Sequence, residues 1–211
     1  MLTEREAQGY YEANDASHSF EHVLRVLALA ERIAQADGAD VDVVRTAALL
    51  HDIGRGEEAR TGVCHAEAGA RQARDILKDG PADFVEAVAE AIACHRFRRP
   101  DRRPQTPEAR VLYDADKLDA IGAIGVARAY AVAGRRGQRL YSPLHSADTD
   151  DLSQAVVGES EAHTPVQEYL FKLRHLKDRL FTETGRALAA DRHAFMVAFF
   201  DRLEAEVRGE Q

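Results

Sequence analysis

Apolar residues return at three-and-four spacing through most of this chain. From His22 the series Val23, Val26, Leu27, Ala30, Ile33 and Ala34 lies on one face of a helix, and Gly38 is placed to end it. Asp40 suits the N-cap of a second helix carrying Val44, Ala47, Ala48, Leu50 and His51, with Gly54 as its stop. A third helix is expected over 66–77, closed by Asp79-Gly80-Pro81, and a fourth over 82–95. Pro100 and Pro104 mark a loop. Thr106-Pro107 reads as a cap followed by proline at the first helical position, opening a segment over 108–130 with a bend at Gly122 or Gly125. Residues 134–162 are the least regular. Thr164-Pro165-Val166-Gln167 reads as a capping box. It predicts a long helix to about Thr184, broken at Gly185, before a last helix to about Val207. No period-two run and no Asn-Gly hairpin is present. The pattern therefore predicts an all-α chain: one helical-bundle domain over 1–211, with a C-terminal helical part at about 163–208 packed on it.

A length of 211 residues suits one such domain. With 45% hydrophobic residues the chain can bury a core, yet no apolar run reaches membrane-spanning length. The start, MLTEREAQGYYEAND, lacks the basic-then-apolar layout of a signal peptide. The two cysteines, Cys64 and Cys94, fit a reducing compartment. Together these features predict a cytoplasmic protein with no membrane partner. A net charge of −8 argues against general attraction to nucleic acid. Two basic islands interrupt it, HRFRRPDRR (95–103) and GRRGQR (134–139). They read either as solvated loops or as anion capture near a site, because Arg presents a fork that fits phosphate oxygens.

Three stretches carry charge where an apolar helix would avoid it. HSFEH (18–22) sets two histidines four apart, hence on one helical face. The string also matches the H-x-x-E-H pattern of inverted zinc peptidases, with Glu21 as base between His18 and His22. AALLHDIGR (47–55) ends an apolar helix in adjacent His51 and Asp52. An unpaired carboxylate there costs several kcal/mol, roughly, and a metal ion would offset it. VLYDADKLDAIGAIG (111–125) puts Asp114, Asp116 and Asp119 in an apolar helix, the last two sharing a face. Any one of these aspartates alone reads as a capped turn or a surface charge. The combination is what a metal site in a bundle core needs. A zinc site from Cys64, His65, Cys94 and His95 is disfavoured, since helix neighbours point about 100° apart and no C-x-x-C spacing exists. The peptidase reading uses one of the three stretches and leaves the other two unexplained.

In order and in local context, SHSFEHVLRVLALA, AALLHDIGR, CHAEAGA, IACHR and DADKLDAIGAIGVARA resemble the HD-domain metal-dependent phosphohydrolases, over about residues 10–131. FKLRHLKDRLFTETGRALAADRHAFMVAFFDRLEAE is similar to the C-terminal helical pair of a bacterial subgroup that includes nucleoside-triphosphate-hydrolysing members. The resemblance implies His22, His51, Asp52 and Asp116 as metal ligands, Asp116 by its place in the A-D-[KR]-L string. It places His65 and His95 on a second ion or on the substrate phosphate. A mixed N/O shell suits Mn²⁺, with Mg²⁺, Fe²⁺, Co²⁺, Ni²⁺ or Zn²⁺ as alternatives. Activated water would then attack phosphorus. Asp52 steers that water, and His65, His95 and Lys117 hold phosphate oxygens or assist the leaving group. His18 lines the site or caps the helix, Arg25 forms a structural ion pair, and Arg96, Arg98, Arg99, Arg135 and Arg136 meet a polyphosphate. The implied substrate is a nucleotide, a (deoxy)nucleoside triphosphate first. The rival class is a non-catalytic HD module that binds metal or nucleotide, and the bland alternative is a helical scaffold with incidental histidines. Apolar Val197, Phe199 and Phe200 would pack within the chain or across a homodimer.

Overall fold

The computed structural model describes residues 2–11, 20–96, 102–144 and 163–210. The described residues are helical and contain no strand. Their order is α1 (Glu4–Gln8), α2 (Phe20–Asp37), α3 (Val41–Leu50), α4 (Arg55–Thr61), α5 (His65–Ile76), α6 (Ala82–Cys94), α7 (Pro107–Asp119), α8 (Gly122–Arg135), α9 (Pro165–Phe171), a 3-10 segment (Leu173–Arg179) and α10 (Glu183–Val207). None of these helices is long and apolar enough to cross a membrane. The chain divides into two compact units. The first is Met1–Asp116 with Leu180–Gly185; the second is Lys117–Arg179 with Arg186–Gln211.

In the first unit α2 packs on α3, α3 on α6, α5 on α6 and α4 on α5. The face of α2 read from the spacing is the buried one: Val23, Val26, Leu27, Ala30, Ile33 and Ala34 are all buried. On α3 Val44, Ala47, Ala48, Leu49 and Leu50 are buried, and on α6 Val88, Ala89, Ala91 and Ile92. Asp40 caps α3 as its sequence implies, accepting from the backbone of Asp42 and Val43.

Five features differ from the sequence expectation. The short helix α4 follows α3 directly and buries none of its residues, so no apolar stripe announced it. Gly54 is not a helix stop of the left-handed kind; its φ is −74°. A Cβ there would lie 2.2 Å from the carbonyl oxygen of His65 and 2.5 Å from the amide nitrogen of Gly69. Glycine is required because the turn after α3 lies directly against the start of α5. Thr164 does form the capping box, but α9 ends at Phe171 and a 3-10 segment replaces the expected long helix. Leu173 and Leu176, both buried, recur at the three-residue period that such a helix aligns. Gly185 lies within the first turn of α10 rather than between helices. A Cβ would sit 2.5 Å from both Asp114 Oδ2 and Thr182 Oγ1. The bend anticipated near Gly122 is a full break between α7 and α8, made by a left-handed φ of 77° that glycine adopts without cost.

In the second unit, Phe200 is buried and stacks on Tyr169 with ring centroids 4.2 Å apart, while Phe199 packs edge-on to Phe200 and Tyr130. These two aromatics therefore pack within the chain.

Candidate metal centre

Four histidines converge on one buried carboxylate. His22 comes from the first turn of α2. His51 is the C-cap of α3, and Asp52 follows it. His65 opens α5, and His95 is the C-cap of α6. All five residues are at most 5% exposed. His22 and His51 bring Nε2 to 3.7 and 3.6 Å from Asp52 Oδ2. His65 and His95 bring Nε2 to 3.8 and 3.6 Å from Asp52 Oδ1. One oxygen thus faces each pair. Asp116 enters from the His22 side, its Oδ1 3.5 Å from His22 Nε2.

The rings are held with their inner nitrogens toward the centre. His51 Nδ1 bonds the Ala48 carbonyl at 2.8 Å, and His95 Nδ1 bonds the Ile92 carbonyl at 2.6 Å. In both cases a helix-end carbonyl takes the Nδ1 proton and leaves Nε2 bare. His65 Nδ1 lies 2.8 Å from Glu58 Oε2. A carboxylate accepts and does not donate, so here too the proton sits on Nδ1. His22 and His51 bring their Nε2 atoms within 3.3 Å of each other, a spacing that two lone pairs tolerate only with a proton or a cation between them.

Burial pushes the His51 imidazolium down to about 4. Burial, with the charges of His95 and Arg55, lowers His65 to about 2. Both rings are therefore neutral, the ligating form, at ordinary pH. Burial works against the charge of Asp52, but His51 and Arg55 outweigh it and hold the carboxyl well below the usual carboxylate range. Arg55 Nε lies 2.7 Å from Asp52 Oδ2, yet neither carboxylate oxygen has an aligned hydrogen-bond donor.

These residues fit a divalent cation. His22, His51 and Asp52, and separately Asp52, His65 and His95, each offer donor atoms within 4.8 Å of one another. Ligands about 2.1 Å from one ion and at right angles are about 3 Å apart, close to the separations found. Arg55 approaches only Oδ2, and the buried Oδ1, without an aligned donor, is costly unless a cation meets it. The C-terminal ends of α3 and α6 also bring partial negative charge to the same point.

The other candidates fall elsewhere. Asp114 accepts from the backbone of Phe181 and Thr182 and from the Thr182 hydroxyl, at 2.6–3.0 Å, and so anchors the chain entering α10. Asp119 pairs with Arg128 at 2.8 Å. Glu21 is exposed while His22 is buried, which deprives the peptidase pattern of its base. Both cysteines are free, and neither joins the histidine clusters. Arg96 NH1 bonds Glu58 at 3.0 Å. Lys117 opens the second unit, and Arg135 and Arg136 stand at the end of α8 within it. His18, Arg98 and Arg99 lie outside the described residues.

Three residues of the cluster carried no sequence signal. Arg55 and Glu58 belong to α4, which buries none of its residues. Tyr11 donates to the Leu49 carbonyl at 2.9 Å, bracing the last turn of α3. Burial and the charge of Asp52 keep its phenol protonated.

The HD domain family matches residues 19–121. The protein YpgQ of Bacillus subtilis (strain 168) is 33% identical over 197 residues, covering 92% of this chain and 86% of that protein. Ribonuclease Y of Chloroflexus aurantiacus is 29% identical over 199 residues, and the match spans only 36% of the ribonuclease. Among solved structures, YpgQ in complex with ADP superposes with a TM-score of 0.73 at 28% identity, over 99% of this chain and 100% of that one. A predicted HD superfamily hydrolase from an uncultured Thermotogales bacterium gives 0.65 at 32% identity, over 96% and 88%. Helical architecture, the clustered His and Asp donors and these similarities agree: the chain belongs to the HD-domain family of hydrolases.

Proposed function

We propose that the protein is a metal-dependent phosphohydrolase acting on a nucleotide, with a (deoxy)nucleoside triphosphate as first substrate. The observation that carries this reading is Asp52, a buried carboxylate facing one histidine pair through each oxygen. His22, His51, Asp52 and Asp116 would hold one divalent ion, and His65 and His95 with Asp52 would hold a second. Mn²⁺ suits this nitrogen and oxygen set. Bound metal supplies Lewis-acid polarisation of a phosphoryl oxygen and lowers the pKa of water. The chain supplies the rest. Asp52 orients the incoming water, and Arg55, a third exposed at the rim, offers its guanidinium to phosphate oxygens. Lys117 and the arginines 98, 99, 135 and 136 remain candidates for the polyphosphate, together with His18. ADP in the YpgQ complex supports a nucleotide ligand.

The test is a chelator-stripped protein reloaded with Mn²⁺ and offered nucleoside tri-, di- and monophosphates, a cyclic dinucleotide and a short RNA. Release of phosphate or pyrophosphate from a triphosphate is the expected result, abolished by Asp52→Ala. Cleavage of RNA alone would move the assignment toward the ribonuclease relatives. Nucleotide binding without turnover would make the protein a binding module. No metal-restored hydrolysis of any substrate, with the fold intact, overturns the enzyme.

A further inference from the structure

Glu58 has several polar partners beside the centre, although it faces no ligand position itself. Its Oε2 takes His65 Nδ1 at 2.8 Å, and its Oε1 takes Arg96 NH1 at 3.0 Å and the His65 backbone amide at 3.4 Å. Arg55 NH1 lies 3.9 Å from Oε2. The other two pinned rings, His51 and His95, are fixed by carbonyls of their own helices, which the backbone supplies whatever the sequence. His65 opens its helix and has no such carbonyl within reach. Its orientation depends on a side chain seven residues earlier, on a helix with no buried residue.

We infer that Glu58 is a positioning residue: it fixes His65 as the Nδ1–H tautomer with bare Nε2 turned to Asp52 Oδ1, and Arg96 holds Glu58 in place to do so. The inference deepens, and in its metal consequence rests on, the two-ion reading above. Arg96 thereby acts through Glu58 rather than on substrate, and its substitution acts on the His65 pair before it acts on nucleotide affinity.

Two readouts separate the claims. Nitrogen-15 NMR of the imidazoles in chelator-treated protein reports the tautomer without any metal. The wild type is expected to show His65 protonated at Nδ1, and Glu58→Ala to move that proton toward Nε2. Glu58→Gln keeps an acceptor oxygen and should largely restore the wild-type signal. Mn²⁺ titration followed by electron paramagnetic resonance then counts ions and detects coupling between two neighbouring ones. Wild type should take up two, and Glu58→Ala should weaken the second about 10- to 100-fold, the loss typical of removing a group that orients a ligand, with the first unchanged. Arg96→Met, which leaves Glu58 itself in place, should show a smaller loss of the same ion. An unchanged tautomer in Glu58→Ala overturns the inference. Two ions bound with unaltered affinities in that variant overturn it as well. A single ion in the wild type together with the tautomer change overturns the two-ion reading and leaves the positioning role standing.

Discussion

A neutral imidazole ligates and an imidazolium does not, and at this centre burial sets which one is present. His51 is lowered to about 4 and His65 to about 2, against about 6.5 for the unfolded chain. The unfolded chain therefore takes up protons, below about pH 6.5, that the folded chain refuses. Stability is full above that pH and declines as pH falls toward 4 and below. Asp52, depressed in the fold, adds to the loss at the acid end of the same range. Thermal melts of chelator-treated protein should fall between pH 7 and pH 5, and a flat profile would contradict the depressed histidines. Charge within an apolar helix pointed to the His22, His51-Asp52 and Asp114–Asp119 stretches, and only the family resemblance singled out Asp116 among its neighbours. Glu58 and Arg55 were not legible in the sequence, since α4 has no buried face and its charges look like ordinary surface. Asp114 and Asp119 share the local pattern of Asp116, yet serve backbone anchoring and an ion pair. Spacing alone does not separate these three roles.

Helix boundaries were read well where a side chain makes the cap, as at Asp40 and Thr164. They were misread where glycine answers to packing. Gly54 and Gly185 look like stops in one dimension, whereas each permits a close approach between segments distant in sequence. At Gly54 the neighbours are backbone atoms of His65 and Gly69, which cannot swing aside as a flexible side chain would. Gly54→Ala should therefore cost about 3 kcal/mol, at the upper end for overpacking. It should also loosen the seating of His65 against Asp52. Urea denaturation gives the first quantity and Mn²⁺ titration the second; an unchanged midpoint would show that the turn yields easily. The 3-10 segment was missed because buried leucines at three-residue spacing also suit an α-helix over so short a span.

For the whole molecule, the all-α class followed from periodicity. The division into two units did not, because its boundary falls within the continuous helix α7, between Asp116 and Lys117. All of the proposed metal donors belong to the first unit. An ion bound only by the native state, at a free concentration about 100 times its dissociation constant, adds about 2.7 kcal/mol. For a chain of this size that corresponds to roughly 5–10 °C in melting temperature. Calorimetry with and without Mn²⁺ should show a rise of that order in the transition of the first unit, and no rise would argue against specific binding there. The sharing of Asp52 between two imidazole pairs has a further consequence. A carboxylate that has given electron density to one cation has less to give a neighbour, and the cations repel each other across it. In the proposed two-ion centre the second cation would therefore bind more weakly than the first. Over some range of metal supply the protein would then hold a half-loaded form, so the concentration of available ion, and not only its identity, would govern how much of the population is competent.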